Sequence, residues 1–125
     1  MEEAVSAGKF QTWYNKHFNP HKPQHVNKLR RAAENWEYYG IANEMYADYL
    51  LRFAHDYEKA AWYYCTAAVE VQDGDVLSYL RSLSDPSIFE HIQQNDTEGA
   101  AEKLAKYFSS QRINARSFYS GLFAS

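Results

Sequence analysis

Apolar and polar residues alternate along this chain with the period of an α-helix. The strongest run covers residues 25–55, where aromatic, aliphatic and small side chains recur at steps of three and four. Its members are Leu29, Ala32, Ala33, Trp36, Tyr39, Asn43, Tyr46, Leu50 and Phe53. This spacing places them on one face of a helix. Because no proline interrupts the run, it predicts one long helix or two nearly collinear helices.

Capping and breaking residues divide the rest of the chain into shorter helices. We predict them at 2–18, 57–72, 76–83, from Pro86 through Ile92, at 97–111, and as a short final helix in the tail. Asp56 and Asp75 are suited to begin two of them, and Pro86 takes the favoured first-turn position of a third. The sequence therefore predicts a single all-α domain over residues 1–125. Its six to seven helices would form antiparallel α–α hairpins, as a repeat-like array or an irregular bundle.

Composition supports this interpretation and narrows the cellular setting. The 125 residues include only 5 glycines and 3 prolines, which favours long helices over many turns. A single cysteine cannot form an internal disulfide, and no apolar run reaches the roughly 18 residues that a membrane span needs. The acidic start of the chain does not resemble a secretory signal. We therefore expect a cytoplasmic protein without a membrane span.

One helix resembles a known repeat. The segment DYEKAAWYYCTAAVEVQDGD (56–75) is similar to the second helix of a tetratricopeptide or Sel1-like repeat, through Asp56-Tyr57, Ala60, Tyr64 and Ala67. Upstream, Trp36, Tyr39 and Gly40 resemble the first helix of such a repeat, with Asn43 in place of the usual tyrosine. The separation of Trp36 from Ala60 is longer than the family pattern. The resemblance implies helical hairpins with a groove for a peptide or a partner helix.

No arrangement of residues points to catalysis. His17, His21 and His25 are spaced by four, but Pro20 and Pro23 prevent the continuous helix that would bring them together as metal ligands. Cys65 could pair with His55 and Asp56 as a nucleophile, yet it lies inside an alanine-rich helix, where a thiol behaves as a small hydrophobe. We therefore predict a protein that is not an enzyme and holds no metal or cofactor.

Protein binding is the favoured function, because aromatic residues are in excess. Tryptophan, tyrosine and phenylalanine make up 17% of the chain, and one buried stripe cannot hide them all. We predict a non-catalytic adaptor, chaperone-like protein or regulatory subunit that binds a peptide or helix. An acidic rim formed by Glu37, Glu44, Asp48 and Glu58 would favour a basic partner. The predicted partner-binding residues are Glu37, Tyr38, Glu44, Asp48, Glu58, Trp62 and Tyr63.

Nucleic-acid binding is the alternative, because the net charge of −3 is unevenly distributed. Residues 1–31 hold six basic and two acidic residues, residues 32–102 hold fourteen acids and three bases, and residues 103–125 hold four bases and no acid. Basic and aromatic residues together can contact phosphates and bases. The residues predicted for this role are Lys28, Arg30, Arg31, Lys103, Lys106, Arg112 and Arg116.

Overall fold

Helices account for most of the chain. The computed structural model describes residues 2–35 and 41–111, and within those ranges it contains no strand. The predicted all-α class is confirmed. In chain order the helices are α1 (Glu2–His17), α2 (Pro23–Glu34), α3 (Ile41–Tyr49), a π-helical turn (Leu50–Ala54), α4 (Tyr57–Glu70), α5 (Gly74–Ser82), α6 (Pro86–Gln93) and α7 (Thr97–Gln111). No described helix is long and apolar enough to cross a bilayer.

Aspartates begin three of the later helices. The side chain of Asp56 accepts a hydrogen bond from the backbone N–H of Lys59 at the start of α4, and Asp85 accepts one from Ser87 at the start of α6. For α5 the predicted cap was Asp75, and this prediction is wrong. Asp73 caps the helix, since its carboxylate accepts from the backbone N–H groups of Asp75 and Val76. Asp75 instead lies in the first turn of the helix, where its charge is also favourable.

The segment 25–55 is neither one helix nor a collinear pair. Asn35 ends α2, and α3 packs beside α2 instead of extending it. Arg30 and Glu34 of α2 both lie close enough to the Tyr46 hydroxyl of α3 to influence its pKa, which burial raises to about 12. In a straight helix, the sixteen residues from Arg30 to Tyr46 would span roughly 24 Å. Helices α2 and α3 therefore lie side by side.

Helix α3 runs into the π-helical turn and ends at His55. This residue adopts the left-handed conformation, with φ of 54°. The backbone N–H groups of His55 and Asp56 both bond to the carbonyl oxygen of Leu50, which closes the helix end. His55 therefore lies at the C-terminal end of the π-helical turn. The tight connection leads directly into α4, so α3 and α4 form a packed hairpin.

Helix α4 lies at the centre of the packing. It contacts α3 on one side and α7 on another, with α5 and α6 completing the surroundings. Ala60, Ala61, Tyr64, Ala67 and Ala68 on its inner face are buried. Small side chains allow helix axes to approach closely, and the Tyr64 ring fills the remaining space against Phe108 of α7. The alanine and tyrosine spacing in 56–75 is thus used for core packing.

Candidate functional site

The outer face of α4 carries the aromatic residues that the sequence singled out. Trp62 remains 43% exposed, and Tyr63 is half-buried, with its ring edge-on to Tyr46 at a centroid distance of 5.0 Å. Glu58 is exposed one turn before Trp62, and residues four apart share one side of a helix. The expectation that Trp62 lies outside the buried stripe is confirmed. The structure also brings Glu58, Trp62 and Tyr63 together on one helix.

Trp62 differs from Phe53, which is 40% exposed. The Phe53 ring stacks on Tyr49 at 6.1 Å, lies edge-on to His21 at 6.4 Å, and has the Arg52 guanidinium 5.0 Å from its centroid. Within the described chain no ring or cation stacks on Trp62. Neighbouring aromatic and cationic groups therefore account for the position of Phe53, whereas Trp62 faces solvent.

An open groove of about 590 Å³ begins where α4 begins. It runs between the α3–α4 connection and α7, lined by Ala54, His55, Asp56, Tyr57, Glu58, Ala105, Lys106 and Ser109. Ala54, Ala105 and Ser109 contribute small side chains to its lining. The charged groups are the Lys106 ammonium and the carboxylates of Asp56 and Glu58. Glu58 belongs both to this groove and to the outer face that bears Trp62. The two features therefore form one continuous surface.

Two members of the predicted acidic rim are buried. Glu44 is 8% exposed and Asp48 is 1% exposed, so the expectation that they form an exposed rim is wrong. The sequence pattern placed them opposite the apolar stripe of α3. The structure covers that side with α1 and with the turn before α5, since Glu44 and Asp48 line a pocket with residues of both segments.

This pocket has a volume of about 250 Å³. Helix α1 contributes Gln11, Tyr14 and Asn15, helix α3 contributes Ile41, Glu44, Met45 and Asp48, and the start of α5 contributes Asp73 and Asp75. One carboxylate oxygen from each of Glu44, Asp73 and Asp75 lies within 4.8 Å of the other two. We call these nine residues the acidic pocket. Four of them are carboxylic acids, and the other polar ones offer amide and hydroxyl oxygens.

Burial controls the protonation of the inner acids. Desolvation raises the pKa of Glu44 to about 9, and the hydrogen bond with Asp73 and the nearby charges of Asp73, Asp48 and Asp75 add to this. Desolvation also raises the pKa of Asp48 well above its ordinary value, against the opposing effect of the hydrogen bond from the Tyr64 hydroxyl. Glu44 is therefore protonated at neutral pH and hydrogen-bonded to Asp73.

The described basic residues proposed for nucleic acid are mostly engaged by the protein itself. The Lys28 ammonium lies 4.2 Å from the centre of the Trp13 ring, and Arg30 forms an ion pair with Glu34 at 3.0 Å. Lys103 donates to the Ser87 hydroxyl at 3.0 Å, and Lys106 pairs with Glu102 at 3.4 Å. Arg31 is exposed. Helix α2 packs on α3, α3 packs on α4, and α4 packs on α7. Helices α3 and α4 therefore separate the basic residues of α2 from those of α7.

The residues considered for metal binding or catalysis take part in the contacts that hold the fold together. The backbone N–H of Asn19 donates to Nδ1 of His25 at 2.9 Å, and the His21 ring contacts Phe53. His55 and Asp56 lie at the connection between helices, whereas Cys65 is fully buried in α4. Burial raises the pKa of the Cys65 thiol to about 12. The thiol is therefore protonated and inaccessible, which is unsuited to a nucleophile.

Some predicted residues lie outside the described part of the chain. These are Glu37 and Tyr38, the repeat-like residues Trp36, Tyr39 and Gly40, the basic residues Arg112 and Arg116, and the predicted final helix. Their proposed roles stay predictions.

Comparison with known proteins returned no match: no family model, no curated protein and no solved structure is significantly similar to this chain. The resemblance of 56–75 to tetratricopeptide and Sel1-like repeats therefore stays a prediction.

Sequence reasoning missed the acidic pocket. Glu44 and Asp48 are four residues apart on α3, and like charges at that spacing repel unless another group compensates. Asp73-Gly74-Asp75 places two further acids in one turn. Both signals were present in the sequence, but their convergence depends on how α3 packs against the α4–α5 turn.

Proposed function

We propose that this chain is a non-catalytic protein-binding module that receives a helix or peptide of a partner on the outer face of α4. The single observation that supports the proposal most is the 43% exposure of Trp62 on a helix whose opposite face is completely buried. The groove that starts at Glu58 would extend the contact surface toward α7. The predicted cytoplasmic location belongs to the same proposal.

The argument rests on the distribution of apolar groups around α4. A helix at the surface of a globular protein normally keeps its outer side polar. Helix α4 instead carries Trp62 and Val69 seven residues apart on that side, with Tyr63 beside them. Covering the exposed part of one tryptophan removes roughly 100 Å² of mostly apolar surface from water and contributes about 2 kcal/mol. Tryptophan and tyrosine are also the residue types that dominate protein interfaces.

The proposed preference for a basic partner rests on fewer exposed acidic residues than the sequence predicted. Glu44 and Asp48 belong to the acidic pocket, so they do not contribute to this face. Glu58 and Glu70 remain exposed on α4, with Lys59 as the opposing charge. A partner segment with a basic residue beside an apolar anchor would complement Glu58 and Trp62.

The proposal is tested by affinity purification from the source cells, with the tagged wild-type chain compared with Trp62→Ser. Phe53→Ser is the matched control, because Phe53 is equally exposed but lies outside α4. Thermal denaturation first establishes that all three chains are folded. Each purification is repeated after nuclease treatment.

We expect a defined protein that is recovered by wild type and Phe53→Ser, survives nuclease, and is lost with Trp62→Ser. Direct titration with that purified protein should then give an affinity at least about tenfold weaker for Trp62→Ser, which corresponds to about 1.4 kcal/mol. Recovery that disappears after nuclease would instead favour the nucleic-acid hypothesis. Equal recovery by Trp62→Ser and wild type would refute the proposed surface.

A further inference from the structure

The acidic pocket has no role in protein binding on the outer face of α4, yet its chemistry is specific. Its three clustered carboxylates come from two parts of the chain: Glu44 lies in the first turn of α3, and Asp73 and Asp75 lie together at the start of α5. Such convergence concentrates negative charge at one point, which opposes folding unless a proton or a cation compensates.

We propose that the acidic pocket binds one hard divalent cation, of the class of Ca²⁺, Mn²⁺ or Mg²⁺, through Glu44, Asp73 and Asp75. The proposal is independent of the partner surface on α4. All three side chains offer oxygen, and none of the nine described residues that line the pocket is a cysteine or a histidine. Oxygen-only sites select hard cations over zinc or copper.

The distances suit a site that closes around its ion. The three oxygens lie within 4.8 Å of one another, and oxygens bound to a common Ca²⁺ at 2.3–2.6 Å can lie up to about that distance apart. The backbone N–H groups of Asp75 and Val76 both donate to the same oxygen of Asp73, Oδ1. That arrangement fixes the orientation of the carboxylate at the start of α5. The volume of about 250 Å³ also admits several water ligands, at about 30 Å³ each.

A second observation points to a ligand in the same place. Asp48 lines the pocket and is 99% buried, and its Oδ2 atom has no hydrogen-bond partner among the residues that the structure describes. Glu44 Oε1 is likewise buried without a partner. Unpaired buried acceptors are costly and uncommon in folded proteins. A cation with its bound water would supply the missing positive charge and hydrogen-bond donors.

The test is a calorimetric titration of the full chain with CaCl₂, MnCl₂ and MgCl₂, together with the thermal midpoint at increasing concentrations of each ion. Asp73→Asn and Asp75→Asn remove one charge each, and asparagine retains the capping oxygen that α5 needs. Asp85→Asn is the matched control, because Asp85 also caps a helix but lies outside the pocket. Glu44→Gln replaces the third ligand's carboxyl group, which can ionise when it binds a cation, by an amide of the same shape.

We expect saturable binding of one ion per chain with a rise in the thermal midpoint. Asp73→Asn, Asp75→Asn and Glu44→Gln should each weaken binding by about tenfold or more, while Asp85→Asn binds as wild type does. If Glu44→Gln does not fold, the two aspartate variants at the edge of the pocket decide the result. Trp62→Ser should bind the ion normally, which separates this site from the protein-binding surface.

Two results would overturn the proposal. One is the absence of saturable binding for all three ions at millimolar concentration. The other is an equal loss of affinity in Asp85→Asn and Asp73→Asn, which would assign the binding to diffuse surface charge.

Discussion

Among the side chains that the structure describes, the buried carboxylic acids are Glu44 and Asp48, and both belong to α3. Asp48 accepts a hydrogen bond from the Tyr64 hydroxyl of α4, and Glu44 is hydrogen-bonded to Asp73. A buried ionised carboxylate without a partner is far more costly than a neutral one, so the environment keeps Glu44 protonated. The protonation state of these two residues therefore affects the stability of the whole fold.

Stability in the absence of metal should decrease as pH rises. The pKa of Glu44 is about 9 in the folded chain against an ordinary value of 4.5, so between those values the folded state holds a proton that the unfolded state has released. Its stabilising contribution is complete below about pH 4.5 and is lost as pH approaches about 9. One such group gives a slope of up to about 1.4 kcal/mol per pH unit, and Asp48 acts in the same direction.

Urea denaturation in EDTA across the range from about pH 5 to about pH 8 measures this slope. Glu44→Gln is the control, because the amide cannot ionise. Its slope should be smaller than that of the wild type. An equal slope in the two chains, or a stability that increases with pH, would contradict the assigned protonation.

At the scale of elements, α4 is defined by its alanines. Ala60, Ala61, Ala67 and Ala68 let it approach both α3 and α7, which surround it. The periodicity of this helix and its Asp56 cap are local properties, and both were predicted from the sequence. Which helices its inner face contacts could not be predicted, because many pairings of amphipathic helices bury similar apolar area.

Enlarging one of these alanines should test how closely the helices approach. Ala67→Leu adds three carbons at a fully buried position, and we expect it to destabilise the protein by about 1–3 kcal/mol through overpacking. Ala105→Leu is the matched control, since Ala105 lies on α7 beside the open groove and is only half-buried. Chemical denaturation of both variants gives the comparison. Equal effects at the two positions would show that α4 is not tightly packed.

At the scale of the molecule, Cys65 reports on whether the bundle opens. Its thiol is fully buried in α4, and burial raises its pKa to about 12. A disulfide-exchange reagent at about pH 8 should therefore react slowly with the native protein and rapidly in denaturant. Because the thiol becomes accessible only when the packing around α4 opens, the reaction should be faster in Ala67→Leu than in wild type. Rapid labelling of the native wild-type chain would contradict the central position of α4.

The sequence by itself determined the helical class, most of the helix boundaries and the excess of aromatic residues on α4. These follow from spacing and capping, which act over a few neighbouring residues. It did not determine that α2 and α3 pack side by side, because the periodic pattern of residues 25–55 continues from one helix into the other. Nor did it show that Asp73 caps α5, where Asp75 was an equally good residue by type.

Only the tertiary structure decided the fate of Glu44 and Asp48. Helical periodicity shows that both lie opposite the apolar stripe of α3, but it does not show whether another element covers that side. Here α1 and the start of α5 do cover it, so two acids expected at a surface rim became the inner wall of the acidic pocket. Trp62, by contrast, stays exposed, because no described helix covers the outer face of α4. In both cases exposure depends on contacts between distant segments, which local sequence patterns do not encode.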